Sequence, residues 1–164
     1  MRRPMLALAL LAAATLLPAP AQGQFFIGGH GSFTDYQGGG GGGGIRAGLD
    51  LPVLPLDIMG ATDWFSMTCD EGQDGCSLWG ATLDVNLRLP IPIVRPYLTG
   101  GLSYRSAKQG GELEDLSGTG ANLGVGVDVN IVVRLFLDWR YEFFSEDQKE
   151  FDGSVARLGI NFKL

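Results

Sequence analysis

The stretch Arg157-Leu158-Gly159-Ile160-Asn161-Phe162-Lys163-Leu164 places polar residues or glycine at its odd positions and apolar residues at its even ones. Successive side chains of a strand point to opposite faces, so the segment reads as a β-strand with one apolar and one polar face. Arg, Asn and Lys together on one face are foreign to a buried soluble strand. They fit a strand that meets lipid on one side and an enclosed polar interior on the other.

The same alternation recurs upstream. Eight segments carry it, near residues 25–34, 45–51, 56–64, 78–89, 94–105, 118–129, 132–143 and 155–164, and each is close to the roughly 9 to 11 residues that a tilted strand needs to cross hydrocarbon. Their connections are by turns short, at 52–55, 90–93 and 130–131, and long, at 35–44, 65–77, 106–117 and 144–154. Short turns on the periplasmic side and longer loops outside are the pattern of an outer-membrane barrel. The expected fold is all-β: an eight-stranded antiparallel up-and-down transmembrane β-barrel spanning residues 22–164, preceded by a signal peptide at residues 1–21.

That signal is read from Arg2 and Arg3, an apolar run over residues 5–17, and Ala19-Pro20-Ala21, which has the small-x-small form of a signal-peptidase site. An apolar run of about 13 residues is too short for a spanning helix, which needs about 20. Its removal after Ala21 leaves ten basic against eighteen acidic residues, a net charge of −8. Nucleic acid is not a partner for that charge in that compartment.

Parity assigns each side chain to a face. In the fourth segment Trp79, Ala81, Leu83, Val85, Leu87 and Leu89 share one face, while Gly80, Thr82, Asp84, Asn86 and Arg88 share the other. A soluble lipocalin-like barrel with a hydrophobic ligand would show the same alternation with the apolar face turned inward. Three features favour the membrane form: the final strand described above, the many small residues on the polar face, and the position of the aromatic residues. Phe33, Trp64, Trp79, Tyr104, Tyr141 and Phe143 fall on the apolar face beside the long loops, which predicts an aromatic girdle at the outer interface.

Projected in the same way, Arg46, Arg88, Arg95, Arg105, Arg134, Arg140, Arg157 and Lys163 lie inside with Asp50, Asp57, Asp63, Asp84, Asp128, Asp138 and Glu142. Buried charges persist only when paired and hydrogen-bonded, so this near-balanced set predicts an interlocked polar network and a plugged bore. Gly48, Gly80, Gly101, Gly120, Gly124, Gly126 and Gly159 share that face and leave room for the long arginines.

The remaining charges fall in the loops: Asp35, Asp70, Glu71, Asp74, Glu112, Glu114, Asp115, Glu146, Asp147, Glu150 and Asp152 against Lys108 and Lys149. Such carboxylates serve a soluble outer surface, a basic extracellular partner or divalent cations, which take oxygen ligands. Cys69 and Cys76 are an even pair in an exported chain and are expected to form a disulfide. The residues between them lack the middle ligand and the distant Glu of an EF-hand, so no metal site is assigned. The glycines at 38–44 read as a flexible loop. His30, the single histidine, lies on the first strand with Ser32 and Thr34 on the same inward face. It reads as a polar interior residue bonded to its neighbours; the competing reading is a Ser-His pair.

The final strand also resembles the C-terminal β-signal that bacterial barrel-assembly machinery recognises, with Arg157, Gly159, Phe162 and Leu164 at its four positions and Leu164 standing where an aromatic residue is usual. Together with Pro96-Tyr97-Leu98-Thr99-Gly100-Gly101 and Asp138-Trp139-Arg140-Tyr141, the pattern resembles the small eight-stranded outer-membrane proteins, the OmpX-like and OmpA-barrel-like group, across nearly the whole chain after its signal. The resemblance implies a monomer in outer-membrane lipid that meets the assembly machinery. It implies neither cofactor nor catalysis and favours a structural or surface-interaction role. A small channel and a lipid-modifying enzyme are the competing classes.

Overall fold

In the computed structural model, which describes residues 23–36, 39–51, 54–67, 77–108, 116–145 and 151–164, the alternating segments form eight strands. They are β1 (Gln24–Thr34), β2 (Gly40–Leu51), β3 (Leu56–Met67), β4 (Ser77–Arg88), β5 (Val94–Lys108), β6 (Leu116–Asn130), β7 (Arg134–Phe144) and β8 (Gly153–Lys163). Each pairs antiparallel with the next, and β8 returns to β1 to close the barrel. The proposed signal, Cys69 and Cys76, and the loop charges Asp70, Glu71, Asp74, Glu112, Glu114, Asp115, Glu146, Asp147, Lys149 and Glu150 lie outside the described residues.

Strand register sets the bore. Paired residues lead from Gln24 through Asp50, Asp57, Asn86, Thr99, Gly124, Arg140 and Val155 back to β1 at Thr34, ten residues further along the strand. A stagger of this kind tilts the strands by about 35–45° and gives an eight-stranded barrel an interior just wide enough for its own side chains.

The faces are settled by burial. Along β4 exposed and buried residues alternate, with Trp79, Leu83, Val85 and Leu87 outward and Thr82, Asp84, Asn86 and Arg88 inward. Leu98, Leu102, Leu123, Val125, Leu137, Trp139 and Leu158 are likewise exposed on the other strands. The charged face is the interior, and the lipocalin-like alternative is thereby overturned.

One expectation fails at the start of β2. Gly40–Gly44, read as flexible loop, pair with Gly44-side partners His30 to Thr34 of β1 and with Asp63 to Met67 of β3. Backbone hydrogen bonding suffices to hold them as strand, and the concave inner surface needs residues without side chains. A Cβ on Gly44 would fall on the Thr62 carbonyl and 2.7 Å from His30 Nε2, and one on Gly42 would fall on the Trp64 carbonyl. The outward Gly41 and Gly31 meet nothing closer than 3.8 Å. Gly39, with φ +92°, takes the left-handed conformation that turns the chain into β2.

Candidate functional site

The interior is built in tiers. Nearest the long loops, Asp63 on β3 gathers three donors. His30 Nε2 lies 2.9 Å from its Oδ1, Arg157 Nε donates to the same oxygen at 3.0 Å, and Arg105 Nη1 donates to Oδ2 at 3.2 Å. Because a carboxylate held by two guanidiniums only accepts, the His30 proton sits on Nε2. Arg105 also forks onto Glu142 at 2.8 and 2.6 Å, and the Tyr36 hydroxyl donates to Glu142 at 2.7 Å. Burial, with Glu142 beside it, pushes the Tyr36 phenol above its ordinary range, so it stays a donor.

The middle tier centres on Arg140, which donates to Asp84 at 2.6 Å and Asp138 at 3.2 Å. Asp84 also accepts from Thr82 at 3.0 Å and Asn122 at 2.8 Å. Arg46 donates to Asn161 Oδ1 at 2.8 Å, approaches Asp138 at 3.4 Å, and lies flat over the Phe136 ring at 3.1 Å. Nearest the short turns, Arg88 joins Asp50 at 3.0 Å, Asp57, and Asp128 at 3.0 Å, while Arg134 also holds Asp50. Arg95 stands 4.0 Å from Asp128.

Seven arginines thus face seven carboxylates, nearly all of them buried. Lys163 is a correction to the projected set: it is exposed at the rim, because the last residue of β8 lies where the bore opens to water. There a cavity of about 650 Å³ is lined by Gln24, Asp50, Asp57, Arg88, Arg95 and Lys163 on its polar side.

The interior also holds apolar residues that the polar alternation hid. Phe26, Met59 and Phe136 are buried among the charges, and Tyr36, Phe65, Leu78, Ala107, Phe144, Phe151 and Val155 form an apolar cluster at the long-loop end. The aromatic members pave the guanidiniums: Arg134 stands 5.2 Å over Phe26 and Arg105 stands 5.5 Å over Phe65. An aromatic residue at an inward position between arginines is the sequence signal for them, since a planar guanidinium stacks on an aromatic face.

Phe33, Trp64, Trp79, Tyr104 and Phe143 are exposed on the outer wall at the long-loop end, with Tyr141 half-buried against Phe143 at 4.8 Å. Arg157 and Gly159 point inward and Phe162 outward on β8, and Leu164 follows the strand, its N–H donating to Phe25 O at 2.9 Å. Ser32 is buried but makes no hydrogen bond to His30, so the Ser-His pair does not form. Two loop carboxylates serve the backbone: Asp35 Oδ1 accepts from Ser154 N at 2.5 Å, and Asp152 Oδ1 from Phe144 N at 2.6 Å.

A closed eight-stranded barrel with an apolar outer wall and paired charges within defines the class of protein that crosses an outer membrane on strands. The chain belongs to the family of the outer membrane protein beta-barrel domain, whose profile matches residues 5–163, and its place is the outer membrane. Among solved structures it is similar to the N-terminal β-barrel domain of Pseudomonas aeruginosa OprF, at a TM-score of 0.70 and 16% identity over 88% of this chain and 100% of that one. It is also similar to Neisserial surface protein A (TM-score 0.63, 17% identity, 89% of this chain and 99% of that one). A third is Ail, the attachment invasion locus protein of Yersinia pestis (TM-score 0.60, 14% identity, 86% and 97%). At these identities the likeness is one of fold. Comparison with curated protein sequences found no match.

Proposed function

We propose that the protein is a non-enzymatic, plugged outer-membrane barrel, a monomer whose structural or surface-interaction role is carried by its acidic extracellular loops. The observation behind this reading is the sequence of buried ion pairs that crosses the bore from Arg88 and Asp128 to Arg105 and Glu142, with an apolar cluster above it. An ion entering such a bore would have to break pairs that water cannot replace. The only histidine, His30, is buried and held by Asp63, which fits a structural role within the network.

On this reading residues 1–21 are removed on export, the end of β8 is recognised by the assembly machinery, and Cys69 pairs with Cys76 to stiffen the second long loop. The excess of carboxylates over lysines in the loops fits a basic partner or divalent cations. The test is conductance: purified protein in planar bilayers is expected to give no stable current steps. Reproducible steps of uniform size would overturn the plugged reading and favour a channel.

A further inference from the structure

The inward cations outnumber the inward carboxylates, and the pairs locate the surplus. Towards the long loops Arg46, Arg105, Arg140 and Arg157 meet Asp63, Asp84, Asp138 and Glu142, four against four. At the short-turn end Arg88, Arg95, Arg134 and Lys163 face Asp50, Asp57 and Asp128, four against three.

The three carboxylates at that end are already paired. Arg88 holds all of them, and Arg134 shares Asp50. Arg95 and Lys163 are left over. Arg95 Nε and Nη2 are buried without a hydrogen-bond partner, and Nη2 stands 4.0 Å from Asp128. Lys163 makes no ion pair and no hydrogen bond among the described residues, while Arg134, Arg95 and Arg88 stand close enough to repel it. Cations in a half-buried mouth with no acid of their own call for an anion from outside.

Both line the cavity of about 650 Å³ at the mouth of the bore, a volume within the range of small-molecule sites. The same cavity is lined by Leu54, Leu89 and Leu164, each more than half exposed. An inorganic ion would use the cations and leave the leucines in water, whereas an uncharged apolar molecule would strip water from two unpaired charges. An anion with an apolar body satisfies both walls, and the surplus of one positive charge matches a single negative one. A guanidinium presents its donors in a planar fork that fits a carboxylate.

We propose that this cavity is a periplasm-facing binding site for an organic monoanion, with its carboxylate on Arg95 and Lys163 and its hydrocarbon part on Leu54, Leu89 and Leu164. The ion pairs of Arg88 close the bore beyond it, so the ligand is held at the mouth and does not pass.

The test is a titration with para-fluorobenzoate, a single carboxylate on an apolar body. Protein purified from outer membranes is placed in phosphatidylcholine nanodiscs, with the fluorine resonance as readout and empty nanodiscs as the blank. Saturable one-to-one binding is expected, weakened about tenfold by Arg95→Gln and by Lys163→Gln through loss of a charge-assisted hydrogen bond. Leu89→Ser, outside the charge network, is expected to weaken it several-fold, and uncharged para-fluorobenzamide is expected not to compete. Signal no greater than the blank, or equal affinity in all three variants, would overturn the site. Competition by inorganic phosphate as strong as that by unlabelled benzoate would overturn the organic-anion assignment.

Discussion

Asp63 ties three other strands together, since His30 on β1, Arg105 on β5 and Arg157 on β8 all converge on it. Asp63→Asn keeps the shape and removes the charge, leaving Arg157 without its acid in a buried site. Breaking one member of a buried pair costs about 3–5 kcal/mol, so denaturant unfolding of the variant in lipid vesicles is expected to fall by that amount. Lys163→Gln at the open rim is expected to stay within about 0.5 kcal/mol. That Asp63 and its partners face inward is legible in the sequence, because parity alone decides it. Which of them pair is not, because Asp63 and Arg157 are 94 residues apart and meet only across the closed bore. Parity also puts Phe136 on the inward face with Arg134, Asp138 and Arg140, but the use of Phe26 and Phe136 as surfaces beneath Arg46 and Arg134 depends on contacts across the bore that parity leaves unspecified.

At the scale of the element, β2 is the strand that sequence reading misjudged. Seven consecutive glycines carry no face, so the period-two signal vanishes and the stretch resembles a linker; pairing with β1 and β3 extends the strand from Gly40 regardless. The inward and outward glycines of this strand are not equivalent. Gly44→Ala, whose methyl meets the Thr62 carbonyl and the His30 ring, is expected to lower the yield of folded barrel severely. Gly41→Ala, with open contact at 3.8 Å, is expected to leave it unchanged. Unboiled electrophoresis of the two refolded variants side by side checks this. The other seven strands were placed within a few residues of their ends, because turns of Pro, Asn and apolar residues and loops of Gly, Ser and acids mark where alternation stops.

For the whole molecule, closure is the property to verify. A barrel with no free edge keeps its backbone bonds in detergent, so unboiled protein in SDS is expected to migrate differently from boiled protein. Identical migration would contradict the closed barrel. The long-loop end of the bore is roofed by Phe65, Phe144 and Phe151, whereas the turn end opens into the cavity beside Arg95 and Lys163.

The way the interior pairs join distant strands bears on how the chain enters the membrane. Arg157 on β8 serves Asp63 on β3, Asn161 on β8 serves Arg46 on β2, and β8 supplies the second edge of β1. Until the last strand arrives, Asp63 and Arg46 each lack one partner and two strand edges stand open, which is costly against hydrocarbon. β8 acts as a keystone, closing the last two edges and completing the pairs of β2 and β3 in one step.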